Sequence, residues 1–232
     1  MSISHRYRAR YTLVIAIVVS LPAFAGTHDK RESAHVVGIY GVNPSEAYLA
    51  VRLISCDSNR PNRGALLRTR DGGATWQRVW SSSGPTSIQV ASRSGTDLLF
   101  FGTFGEGGPD LDPFVLFPVR GGRWRRVTIH RGDSKLEGVY RRGDALNVRI
   151  QQIDVHSDEW TGRTVTYQSR DGGRSWKLLK REEQLGEPLT AISKSSQDWQ
   201  IRLGEEGGYV VEKKADEGYR AVSHFPVTTT CE

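Results

Sequence analysis

The residues of this chain best spaced for chemistry are two aspartates one hundred positions apart. Asp71 lies in Thr69-Arg70-Asp71-Gly72-Gly73-Ala74-Thr75-Trp76, and Asp171 in Ser169-Arg170-Asp171-Gly172-Gly173-Arg174-Ser175-Trp176. In both copies a hydroxyl stands two before the acid and another four after it, with glycines between and a tryptophan at plus five. An isolated carboxylate in such a setting suggests a general acid or an ion ligand. Turn chemistry, however, accounts for every position. A carboxylate that accepts from the next backbone N–H groups makes an Asx turn, and glycine supplies the positive φ of a tight hairpin. The tryptophan then buries a large apolar area with its N–H within reach of a partner. The octapeptides are therefore expected to be folding devices built on Asp71, Gly73, Thr75 and Trp76 and on Asp171, Gly173, Ser175 and Trp176, with no catalytic residue among them.

Other polar residues gather in segments rich in turn formers. Arg60 and Arg63, Asp110 and Asp112, and His156, Trp160 and Arg163 fall in three such stretches, from Cys56, Gly105 and His156 respectively. Carboxylates of neighbouring loops can converge on a hard cation, but Asp110-Leu111-Asp112 lacks a full ligand series, and no metal or cofactor is expected. Trp160, a large aromatic in a polar setting, suits a sugar platform or an interface anchor. Arg131-Gly132-Asp133-Ser134 spells an adhesion tetrapeptide, yet Arg, Gly and Asp are turn residues throughout this chain. No G-x-S-x-G nucleophile motif occurs.

The elements that must hold these residues are strands. Short runs rich in Val, Ile, Leu, Tyr and Phe recur between turn residues, and Ala145-Leu146-Asn147-Val148-Arg149-Ile150 alternates with a period of two. Taken in fours, the runs make sets at about 35–80, 87–130, 136–180 and 189–225. Trp76, Trp124, Trp176 and Tyr219 sit at equivalent points, 48, 52 and 43 residues apart, and an acid precedes each second strand: Glu46, Asp97, Asp144 and Asp198. The two octapeptides fall between the third and fourth strands of sets one and three. Val119-Arg120-Gly121-Gly122-Arg123-Trp124 and Ala215-Asp216-Glu217-Gly218-Tyr219 are their reduced counterparts.

This pattern resembles the Asp-box, or BNR repeat, of sialidase-like and sortilin-like β-propellers. The resemblance implies an all-β fold, a small β-propeller of about four four-stranded antiparallel blades. A partial fan completed by dimerisation is the rival. Sialidases, the enzymes of that group, use three arginines, a Tyr–Glu nucleophile pair and an Asp acid on six blades. This chain has no early Arg-Ile-Pro motif and is too short for six blades; Arg60 and Arg163 with a loop acid would supply only part of such a site. Non-enzymatic relatives, among them a photosystem assembly factor and sortilin-type receptors, recognise proteins.

Compartment follows from the ends of the chain. Met1 to Arg10 carries three arginines and no acid, Tyr11 to Leu21 is apolar, and Ala23-Phe24-Ala25 offers a cleavage site, which together read as a signal peptide over 1–25. The apolar run is shorter than the ~20 residues of a membrane span, so no stable membrane insertion is expected after cleavage. A linker over 26–34 and one domain over 35–232 follow. Beyond residue 25 the chain has 29 basic and 26 acidic residues, a net charge of +3. That removes most support for nucleic-acid binding. Cys56 and Cys231, with no metal-ligand spacing, read as one disulfide in an oxidising compartment. In an up-and-down blade both would lie on the face that also carries the long loops after each second strand.

The expectation is thus a secreted or periplasmic, non-enzymatic module that recognises a protein partner through its long-loop face. A sialidase-like glycoside hydrolase or a glycan-binding protein is the alternative.

Overall fold

The computed structural model describes residues 32–56, 61–94, 97–105, 111–132, 134–154, 159–179, 187–188, 198–204 and 207–226. These residues form four antiparallel sheets. The first contains β1 (Glu32–Asn43), β2 (Glu46–Ser55), β3 (Arg63–Thr69) and β4 (Gln77–Ser81), hydrogen-bonded in sequence order. The second, β5 (Thr86–Ser94), β6 (Asp97–Phe104), β7 (Asp112–Val119) and β8 (Arg123–Thr128), repeats that order. The third contains β9 (Ser134–Arg142), β10 (Ala145–Asp154), β11 (Glu159–Ser169) and β12 (Lys177–Leu178), with β13 (Glu187–Pro188) added beside β9. The fourth is β14 (Trp199–Leu203), β15 (Gly208–Ala215) and β16 (Gly218–Pro226). The expected all-β architecture of four up-and-down blades is present, and no helix among the described residues is long and apolar enough to cross a membrane.

Apolar alternation packs the first sheet on the second, the second on the third and the fourth on the first. Tyr40, Tyr48, Ala50 and Leu66 of the first blade bury against Ile88, Phe100, Phe114 and Leu116 of the second. Leu99, Phe101, Val115 and Phe117 of the second meet Leu136, Val139, Leu146, Val148 and Ile150 of the third. The cluster that decides the topology joins the two ends of the chain: Ile39, Leu49, Leu67 and Trp76 of the first blade pack with Trp199, Val211 and Phe225 of the fourth. The last sheet therefore lies against the first within one chain, which is what a ring requires and an open fan does not. Polar bonds fix the same seam. The Trp76 indole N–H donates to Ser223 Oγ at 2.9 Å, the Ser223 hydroxyl donates to the Gly73 carbonyl, and the Trp199 indole donates to the Asn43 carbonyl at 3.1 Å.

Two details differ from the expectation. The fourth strands of blades one and three, expected from Thr75 and Ser175, begin at Gln77 and Lys177, after the tryptophans, because each indole turns inward to pack instead of continuing the ladder. β13 extends the third sheet, pairing Glu187 with Arg141 and Pro188 with Tyr140. Proline has no N–H to give a ladder, which suits so short an edge strand. Leu189 to Ser193, the opening run of the set expected at about 189–225, lies outside the described residues, as do 1–25, Arg60, Asp110, His156 and Cys231.

Candidate functional site

The turn between β3 and β4 closes on Asp71. Thr75 donates its amide to Asp71 Oδ1 at 2.9 Å and its hydroxyl to Oδ2 at 2.5 Å, and the Thr69 hydroxyl donates to Oδ1 at 2.8 Å. Thr69 Oγ1 in turn accepts the Gly73 amide at 2.9 Å. The turn after β11 repeats this atom for atom: Ser175 donates its amide at 2.9 Å and its hydroxyl at 2.6 Å to Asp171, the Ser169 hydroxyl donates at 2.8 Å, and the Gly173 amide reaches Ser169 Oγ at 2.8 Å. Arg174 adds an amide bond to Asp171 Oδ1 at 2.9 Å. Burial tends to raise both carboxyls, but the hydrogen bonds outweigh it and hold each at about 2. At neutral pH both are ionised acceptors committed to their own turns, a poor state for a proton donor.

The aromatic after each turn reaches the preceding blade. Trp76 sits edge-on to Trp199 and Phe225 of the fourth blade, with centroids 6.3 and 6.0 Å apart. Trp124 meets Tyr48 of the first blade at 5.7 Å, and Trp176 meets Phe101 of the second at 6.4 Å. Trp124 does so without an aspartate in its turn. Tyr219, at the fourth equivalent point, is 43% exposed.

The residues expected to share a binding face are placed unequally. Asp112 opens β7, and its Oδ1 accepts the Gly132 amide at 2.6 Å, so it ties down the connection from blade two to blade three. Arg63 opens β3 opposite Leu53. The expected loop from His156 to Arg163 is largely strand: β11 begins at Glu159, and Trp160 lies opposite Ile153. Arg163 follows in an irregular stretch of the β10–β11 pairing and is exposed. Threonine, tryptophan and valine between Trp160 and Tyr167 favour a pleated surface, which explains why the strand runs further than its turn residues suggest. Among the described residues no three His, Cys, Asp or Glu side chains gather as a metal site.

A cavity of about 760 Å³ lies elsewhere, between the first octapeptide turn and the last two strands. Asp71, Gly72 and Ala74 form one wall, and Lys213, Lys214, Arg220 and His224 are prominent on the other. Arg202 borders it as well, held by Glu212 at 2.5 Å. The Arg202 guanidinium, against some opposition from burial, brings the Glu212 carboxyl below its usual range. Sequence reasoning missed this groove. Its one local signal is the basic pair at the end of β15, and its second wall exists only once blade four meets blade one.

No protein-family model matches the chain, and no curated protein does. Several solved structures are similar. One is titled YCF48 bound to D1 peptide, at 17% identity over 86% of this chain and 52% of that one, with a TM-score of 0.37. Another is a protein of unknown function from Dyadobacter fermentans, at 13% identity over 82% and 64%, TM-score 0.41. A third is GH43B of a Bacteroides ovatus xyloglucan locus, at 12% identity over 83% and 40%, TM-score 0.37. The chain spans about half the length of the first of these solved chains and less than two thirds of the other two. At such likeness they say nothing of what this chain binds.

Proposed function

We propose that the chain is an exported, non-enzymatic member of the Asp-box propellers that recognises a protein partner through its long-loop face. The observation that carries this reading is the saturation of Asp71 and Asp171 by their own turns. It makes the residues most suggestive of chemistry into fasteners of a rigid scaffold, and scaffolds of this kind present recognition residues in loops. The recognition residues of this reading are Arg60, Arg63, Asp110, Asp112, His156, Trp160 and Arg163, of which Arg60, Asp110 and His156 lie outside the described residues. Export follows from the signal-like start over 1–25. A Cys56–Cys231 disulfide is part of the same reading: Cys56 directly follows β2, and Cys231 comes five residues after β16, in the sheet packed on the first blade. Such a link would latch the seam from the covalent side and stabilise the fold by about 4 to 5 kcal/mol in the chain-entropy account.

The test is photo-crosslinking in the source cell, with benzoylphenylalanine placed at Arg163 on the long-loop side or at the exposed Arg123 in the β7–β8 hairpin on the opposite side. A defined protein adduct from position 163 and none from 123, on a chain whose mass gives an N-terminus at Gly26 and an oxidised cysteine pair, is expected. Adducts from neither position, combined with cleavage of a fluorogenic sialoside by the purified chain, would replace this reading with the glycosidase.

A further inference from the structure

The groove beside β16 has a shape and a charge that neither the octapeptide turns nor the long loops explain. Five successive residues of β16, Arg220 to His224, border it. Side chains alternate across a strand, so a hollow on one face would meet every second residue. A bulge at Val222 interrupts that alternation, but the groove also meets Lys213 and Lys214, on opposite faces of β15, so it passes round the edge of β16, the outermost strand of its sheet among the described residues. An open edge presents unpaired backbone donors and acceptors to an incoming strand.

The charge of the groove is uncompensated. Lys213, Lys214, Arg220 and His224 line it, and among the described residues none of them forms a side-chain hydrogen bond or ion pair. Arg202 is already matched by Glu212. Among the described residues Asp71 is the one carboxylate lining it, and both its oxygens are occupied within the turn. Lysines on an edge strand also serve to repel unwanted pairing. That purpose needs no second wall, whereas this edge faces one contributed by another blade, with Gly72 as its floor beside Lys213. From Arg220 to His224 the groove follows β16 for about 14 Å at the usual rise per residue, room for about five extended residues.

We propose that this groove binds an acidic, extended segment of a protein partner, added as a strand along β16 with its carboxylates facing Lys213, Lys214 and Arg220. Backbone pairing supplies the binding mode and the basic side chains select the sequence. The site lies toward the octapeptide side, so it stands or falls separately from the long-loop reading.

The experiment is fluorescence anisotropy on the mature chain with a labelled hexapeptide alternating glutamate and valine. Its controls are the glutamine–valine analogue, the same acidic peptide N-methylated at alternate amides, and a heparin hexasaccharide. The acidic peptide is expected to bind, to weaken as salt rises from about 0.05 to about 0.5 M, and to lose binding when neutralised or N-methylated. Lys214→Glu with Arg220→Glu, both on exposed side chains, is expected to weaken it about tenfold with an unchanged melting curve; Lys214→Gln with Arg220→Gln falls between. Failure of the acidic peptide to bind, or equal binding by the charge-reversed chain, overturns the proposal. So does undiminished binding of the N-methylated peptide, or binding of the heparin fragment alone.

Discussion

Asp71 and Asp171 show how a carboxylate can be ionised and exposed yet bonded on both oxygens by its own turn. Every acceptor position used is filled from within five residues, and the charge strengthens those bonds. Their carboxyls sit at about 2 in the folded chain, below the ordinary ~3.9 of an unfolded aspartate. A depressed folded value means that the stabilisation is complete above the unfolded value and disappears as pH falls through the folded one. The urea midpoint is therefore expected to stay level down to about pH 5 and to fall between about pH 4 and 2. Asp71→Asn with Asp171→Asn should make that acid limb shallower, leaving the share due to Glu212, whose carboxyl is also lowered. An identical limb in the double variant would contradict the role given to the turns. Both aspartates are exposed, so screening keeps the effect modest. All of this was legible in the octapeptides, since turn chemistry is local. The use of Asp112 was not, because its partner Gly132 lies twenty residues away, in the connection from blade two to blade three.

At the scale of elements, the two octapeptides are alike inside and unlike outside. Gly73 and Gly173 both have positive φ, 93° and 89°. A Cβ on Gly73 would lie 2.6 Å from Val222 Cγ2 of the fourth blade, whereas one on Gly173 would find Val115 at an ordinary 3.6 Å. Gly173→Ala should therefore cost the backbone strain alone, about 1–2 kcal/mol. Gly73→Ala should cost about 2–4 kcal/mol as overlap is added. Urea unfolding of the two variants checks this, and equal losses would mean that blade four does not press on the first turn. The sequence pattern located both turns and both tryptophans, as well as the reduced copy at Trp124, because hydrophobic period and turn residues are written locally. It misplaced Trp160 in a loop and did not foresee β13. Strand pairing beyond the hairpin depends on which edge a distant segment meets, and Glu187-Pro188 carries no strand pattern of its own.

The whole molecule rests on its seam. Trp76 and Trp199 are buried there at 7% and 0% exposure, each a side chain whose burial is favourable by about 2–3 kcal/mol. The same closure that hides them brings Asp71 and Gly72 opposite Lys213 and Arg220 and so creates the basic groove. Four repeats at blade spacing suggested a ring, yet one chain and two half-fans carry the same spacing; only the contact between first and last sheets separates them. The Trp76–Ser223 bond is the most direct probe of that contact. A double-mutant cycle of Trp76→Phe and Ser223→Ala, measured by urea unfolding of the chain over a wide range of protein concentration, should give a coupling of about 0.5–1.5 kcal/mol that does not vary with concentration. Additive losses, or a coupling that grows with concentration, would show that the first and last blades do not close on each other within one chain.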